Sequence, residues 1–419
     1  MEYKIKTKNM FYEIIFSNAT FSKIFGTKPL FKGEDLIAVQ TKVKQSMSLQ
    51  MPQLMSRLPY YNDLKIQNIT KISECLKKSF DTVVVVGMGG ALLNSVSLNH
   101  FFSQKSDLDV VFCDRLCPKH LEKIKNSINL EKTCFIFISN SGNTIETVAI
   151  AEYWYEILLT KNINDFEKRF VFIYGLGFSS LLENLHKKTR GVFLEYDGEM
   201  GGRFSTFTTP HIILGYLKGF DCKKFFEGAN NTLQAFISGN NVLTREIILG
   251  ALLTDFGLTS NNFSKNIINA SYDSRFDGMI HWYSTALSET LGKNDVKLSP
   301  ITLNLPVDQH GIVQAILNNT SYQQLNLFCI EELIKESKLV KVQKMLQDEL
   351  CKQFDSFSIP ARKIILKSCD EVTYGAIMMH LILETITAAV LIDIDPFTQP
   401  QIDDIKKNLA ESYRQQFVP

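Results

Sequence analysis

Three hydroxyls, a glycine and two side-chain amides are gathered in Ser139-Asn140-Ser141-Gly142-Asn143-Thr144, directly after the apolar run Cys134–Ile138 and before the apolar-rich stretch Ile145 to Leu159. With the run as a strand and the stretch as a helix, these hydroxyls meet the unpaired amides of a helix N-terminus, an arrangement that suits a dianionic phosphate. An N-cap cluster that merely starts a helix has the same composition; its position after a strand favours binding. A second turn, Gly87-Met88-Gly89-Gly90, follows Thr82–Val86 and can likewise bring backbone close to an anion. It is not a dinucleotide fingerprint, because the third glycine position falls on Leu92 and Asp114 lies too far on to serve as the acidic partner. A packing turn fits its glycines equally well.

Three further residues have types and positions that allow catalysis. Gly201-Gly202-Arg203-Phe204-Ser205 lies beyond Val192–Leu194, where two glycines permit close approach and Arg203 can offer a guanidinium to an enolate-like oxyanion. A surface turn with a solvated arginine reads the same in isolation. Glu289 falls one turn from the end of a helix that stops at Gly292-Lys293. The helix dipole opposes a carboxylate there, although an ordinary solvated glutamate is the plainer alternative. His310 follows Leu298–Leu303 through Leu305-Pro306-Val307-Asp308, a strand-end loop, whereas lone histidines are more often structural.

The elements that must position these residues are legible in the chain's texture. From Asp81, apolar β-branched runs (Thr82–Val86, Val110–Phe112, Cys134–Ile138, Phe170–Tyr174, Val192–Leu194) alternate with amphipathic stretches of crossover length. Runs without alternation predict parallel strands covered on both faces, with ligands beyond their carboxyl ends. A second α/β unit is expected from about Cys222, with strands at Asn266–Ala270, Leu298–Leu303 and Leu325–Ile330, then mainly helix over 331–353, 371–392 and 401–413. The first 75 residues read as helical, with apolar spacing such as Leu36, Val39 and Val43.

At 419 residues the chain is too long for one core. Lys+Arg (45) and Asp+Glu (44) nearly cancel, which argues against nucleic acid as a partner. Eight scattered cysteines without a CxxC pair fit neither a zinc knuckle nor a disulfide framework, and point to reduced thiols. Met1-Glu2-Tyr3-Lys4 leads into no signal-type apolar stretch. The apolar segment Gly375 to Ile392 is interrupted by His380 and Glu384, so a buried core helix of a cytoplasmic protein is expected rather than a membrane span.

In order along about three quarters of the chain, these pieces resemble the glucose-6-phosphate isomerase (phosphoglucose isomerase) family, which is built from two sugar-isomerase (SIS) domains. Val84 to Gly90 resembles its first strand and glycine turn, Ser139 to Thr147 its sugar-phosphate loop, and Gly201 to Ser205 its specific GGRFS signature. Tyr272 to Phe276, Trp282 and Ser288 to Lys293 are similar to the block ending in ESxGK, with Thr290 for its serine. Asp308-Gln309-His310 with Gln314, and Asp395 to Pro400 leading to Lys406, resemble the two later signatures.

The resemblance implies two doubly wound α/β/α sandwiches with helical N- and C-terminal extensions: a helical segment 1–75, SIS domains at 76–215 and 216–395, and a C-terminal helix at 396–419. It implies that Glu289 shuttles a proton between C1 and C2 through a cis-enediol, with Arg203 at the enediolate oxygen and His310 and Lys406 assisting ring opening. Ser139, Asn140, Ser141 and Thr144 would bind the phosphate, and Gly89, Gly90, Gly202 and Gln399 the rest of the sugar. A homodimer is implied, His310 acting across the interface; no metal or organic cofactor is called for. The family usually has serine where Ala91 stands and often lysine where Asn140 stands, changes expected to weaken phosphate binding. Two rivals are a bifunctional glucose/mannose phosphate isomerase, which tends to be smaller and lacks the full motif set, and a non-catalytic phosphosugar-sensing SIS module, which could dispense with the four catalytic residues.

Overall fold

The computed structural model describes residues 6–20, 41, 63–103, 108–176, 180–196, 201–239, 242–255, 258, 265–319, 322–331 and 337–417. Its strands are β1 (Lys6–Lys8), β2 (Tyr12–Phe16), β3 (Thr82–Val86), β4 (Asp109–Cys113), β5 (Thr133–Ser139), β6 (Phe170–Tyr174), β7 (Val192–Glu195), β8 (Lys265–Ser271), β9 (Leu298–Asn304), β10 (Gln323–Ile330) and β11 (Ala361–Leu366). The chain divides into two compact units. One takes the described residues of 57–222 with 399–417, and the other those of 1–56 with 223–398.

The first unit carries a wholly parallel sheet in the order β4-β3-β5-β6-β7. Every residue of β3, β5 and β6 is buried, as expected of strands covered on both faces. One face packs Phe135, Phe137, Phe170 and Phe172 against Trp154 and Leu158 of helix Ile145–Thr160. Strand order reverses between β3 and β5, so the turns leaving these two neighbours flank the crevice where doubly wound sheets bind ligands. All five expected runs of this unit are strands.

The second unit repeats that order as β9-β8-β10-β11, all parallel. Its central helix, Glu371–Leu391, is long and apolar enough by composition to cross a membrane, but 94% of its apolar window is buried in the protein. It is the core helix expected from the sequence. His380 and Glu384 sit in it without solvent because they pair internally. Tyr12 Oη lies 2.7 Å from His380 Nδ1, and His380 Nε2 lies 3.2 Å from Glu384 Oε2. Both guanidinium Nη atoms of Arg362 donate to Glu384, at 2.6 and 2.7 Å. Burial alone would raise the Glu384 carboxyl pKa, yet Arg362 and His380 bring it down to about 2.

Two expectations are corrected here. The N-terminal segment is not simply helical: β1 and β2 pair antiparallel, and β2 adds antiparallel to β11, extending the sheet. Tyr12, Ile14 and Phe16 are buried and Glu13 and Ile15 half-buried, a period of two that overrides helical spacing. Leu36, Val39 and Val43 lie outside the described residues. The second correction is β11, which lies within the stretch read as mainly helical. Its Arg362-Lys363 looks like a surface dipeptide, and Arg362 becomes a core residue through Glu384. The helices expected around it are Lys338–Ser356, Glu371–Leu391 and Pro400–Phe417.

Candidate functional site

Ser139 ends β5, and helix Ile145–Thr160 starts six residues on, with Thr144 as its N-cap. The Ser139 and Thr144 hydroxyls lie 2.9 Å apart, and Ser139 Oγ also accepts from the Thr144 amide at 3.4 Å. The Thr144 hydroxyl makes no capping bond to the helix's first turn, so that turn keeps the amide field that attracts an anion. Ser141 is exposed, and its hydroxyl accepts from the Asn143 amide at 3.2 Å.

The turn is braced from behind. Gly142 has φ 66°, and a Cβ there would stand 2.4 Å from Ser180 Cβ, so neither backbone angle nor space admits another residue comfortably. Gly142 O accepts from Leu182 N at 3.0 Å, and Asn143 Oδ1 from Leu181 N at 3.1 Å. The amino end of helix Leu181–Thr189 thus clamps the loop.

The turn after β3 meets the Gly201–Ser205 turn at backbone contact. A Cβ on Gly90 would lie 2.6 Å from Arg203 N, and one on Gly202 would lie 2.9 Å from Ala91 N. Asn94, which sequence reasoning missed, ties the turns together: its side-chain amide donates to Gly90 O at 2.6 Å, Gly202 O at 3.1 Å and Ser205 Oγ at 3.0 Å. Its side-chain oxygen accepts from Thr206 Oγ1. A lone asparagine one turn into a helix carries no sequence signal for such a role.

Arg203 is buried, 1% exposed, with its guanidinium over the Phe204 ring. Arg203 Nη1 donates to Gln399 Oε1 at 3.2 Å, joining an expected catalytic residue to an expected sugar-binding one. Lys406 is exposed on helix Pro400–Phe417, two turns beyond Gln399.

In the second unit, Glu289 is half-buried in the last turn of helix Asp277–Leu291. Lys293, almost wholly buried, donates from Nζ to Thr398 O at 2.6 Å, and so secures the end of that helix. His310 is exposed on a short 3-10 turn that follows β9. The helix bearing Glu289 starts beyond the carboxyl end of β8 and finishes near the amino end of β9; His310 lies beyond the carboxyl end of β9. The seven-residue β9, on the order of 20 Å long, runs between those ends.

Solved structures share this architecture. Similar are a glucose-6-phosphate isomerase from Chlamydia trachomatis (TM-score 0.77, 14% identity, 99% of this chain and 90% of that one) and a hypothetical protein from Thermus thermophilus (0.72, 17%, 90% and 94%). The fold therefore defines an α/β protein with two doubly wound sheets. The phosphoglucose isomerase model matches residues 68–299, more than half of the sequence. The chain belongs to the phosphoglucose isomerase family, and it is an isomerase. Its relatives include a probable glucose-6-phosphate isomerase of Methanococcus maripaludis, 25% identical over 365 residues and 82% of each chain. The glucose-6-phosphate isomerase of Campylobacter jejuni is 25% identical over 365 residues, 80% of this chain and 87% of that one.

Proposed function

We propose that the protein interconverts glucose 6-phosphate and fructose 6-phosphate through a cis-enediolate. The observation that carries this reading is the backbone contact of the Gly90 and Gly202 turns, which presents the buried guanidinium of Arg203 beside the first sheet's switch point. The β5 turn leaves the neighbouring strand, which supports a reading in which a phosphate donor set and an oxyanion donor act at one crevice.

Ser139, Ser141, Thr144 and the first-turn amides take the phosphate, with Asn140 contributing an amide. Gly89, Gly90, Gly202 and Gln399 line the sugar. His310 and Lys406 move the ring-oxygen and hydroxyl protons that open the ring. Glu289 then removes the C2 proton of the aldose, Arg203 stabilises the negative charge left on the enediolate oxygen, and Glu289 returns the proton to C1 to give the ketose. The hydroxyl proton moves from O2 to O1 in the same passage, and no net oxidant is consumed. The protein acts as a cytoplasmic homodimer, a reading that its free thiols fit. The separation of Glu289 and His310 along β9 supports a site that takes His310 of the partner subunit.

Glu289→Gln tests the assignment. Turnover of fructose 6-phosphate is expected to fall by about 10²–10⁴ while the substrate's dissociation constant stays within a few-fold; unchanged turnover overturns it. Mannose 6-phosphate is expected to turn over far more slowly, and comparable rates would favour a bifunctional isomerase.

A further inference from the structure

The phosphate turn has a charge deficit. No residue from Ser139 to Thr144 is cationic, and Glu146 adds a carboxylate in the first turn of the helix that follows. The structure assigns the missing charge to a residue far along the chain. We propose that Arg414 is the cation of the phosphate site and a determinant of its affinity for phosphorylated substrates; the proposal rests on the phosphate reading of Ser139–Thr144.

The C-terminal helix Pro400–Phe417 is docked in the first unit one residue before Arg414. The Tyr413 ring packs against the core of the first sheet and lies tilted beside Phe417, with centroids 5.0 Å apart. Its hydroxyl donates to Glu152 Oε2 at 2.5 Å, on the helix that the phosphate turn starts. Docked in this way, Arg414 donates from Nη2 to Asn143 Oδ1 at 3.1 Å, within the turn itself. The Asn143 amide in turn lies 3.2 Å from Ser141 Oγ. The exposed guanidinium therefore sits on the order of one Debye length, about 8 Å at physiological ionic strength, from the turn's hydroxyls.

Chemistry favours transfer of this arginine to a ligand. A neutral amide oxygen is a weaker acceptor than a phosphate oxygen, and a guanidinium offers a planar fork of donors that matches phosphate. Among the described residues Arg414 forms no ion pair with a carboxylate, so its charge is not already neutralised by contact. Attraction between an exposed unit charge and a dianion at this range corresponds to about three- to tenfold in affinity.

Steady-state kinetics with fructose 6-phosphate, and competitive inhibition by inorganic phosphate, test the assignment. Arg414→Ala is expected to raise KM and the phosphate inhibition constant by about three- to tenfold, with kcat within twofold. Arg414→Lys is expected to keep most of the affinity, and Asn140→Lys in the Arg414→Ala background to restore it by placing a cation in the turn. Ser139→Ala separates the two levels of the argument. If Ser139→Ala raises both constants and Arg414→Ala leaves them unchanged, the turn binds phosphate without Arg414 and the proposal fails. If both variants leave them unchanged, the phosphate reading falls and the proposal with it. A loss of kcat and thermal stability in Arg414→Ala that Asn140→Lys does not rescue makes the arginine a structural anchor and also overturns it.

Discussion

At the scale of the residue, Gly90 is where one added methyl group would press directly on the Arg203 turn. An added Cβ would stand 2.6 Å from Arg203 N and 2.7 Å from Arg203 Cα, and backbone cannot swing aside as a long side chain can. Gly90→Ala is therefore expected to shift the Arg203 turn, and a misplacement of about 1 Å costs up to about 10²-fold in turnover. The check is kcat with the circular dichroism spectrum preserved; full activity in a folded Gly90→Ala protein would show that this contact does not position the guanidinium.

At the scale of the element, helix Asp277–Leu291 is tied to the core by a buried polar chain. Tyr283 Oη donates to Glu384 Oε1 at 2.7 Å, and Ser284 Oγ accepts from Asn269, whose side-chain oxygen accepts from Asn326. Asn326 Oδ1 also accepts from Arg362 Nε at 2.8 Å. Glu384→Ala leaves the fully buried Arg362 charge without its carboxylate, so urea denaturation is expected to register a loss of about 3–5 kcal/mol. A loss below about 1 kcal/mol would mean that water or another group compensates Arg362. The pair also sets an acid dependence. The Glu384 pKa is about 2 in the folded protein, below its unfolded value of about 4.3, so its stabilisation is complete above the unfolded value. It is lost as pH falls from there toward 2. His211 adds to the same trend: burial lowers its pKa to about 3, so the unfolded state takes up the proton first as pH drops below about 6.5. The urea midpoint is expected to decline steadily below pH 6.5 and more steeply below about 4.5. A midpoint that is flat down to pH 3 would contradict both contributions.

At the scale of the whole molecule, the proposed dimer makes a complementation test possible. A dimer of one Glu289→Gln chain and one His310→Asn chain contains one site with both groups intact and one site lacking both. Mixing the two inactive variants under subunit exchange is expected to restore about half of the wild-type rate per mixed dimer. No recovery, with mixed dimers demonstrated by mass, would place His310 and Glu289 of the same chain in one site.

The elements differ in how plainly they could be read from sequence. Strands β3, β5 and β6 were readable because both their faces are buried, so burial leaves an uninterrupted apolar run. The core helix Glu371–Leu391 was readable by the same logic. β11 was hidden because Arg362 looks like a surface residue until Glu384, 22 residues away, neutralises it. β2 was hidden because five alternating residues are a weak signal without the strand edge they complete. At the site, local order along the chain carries Ser139 to Thr144, Gly201 to Ser205 and the Glu289 helix end, since each motif lies within one turn. The sequence by itself thus determined the family, the order of the motifs along the chain and the position of the Ser139–Thr144 turn at the end of β5. Tertiary structure alone decided that Arg203 meets Gln399, 196 positions on, that Asn94 joins two glycine turns, and that Arg414 reaches a turn 271 positions earlier. The physical reason is that charge and hydrogen-bond partners act through space, so a residue's partner is set by packing and not by its neighbours in the chain.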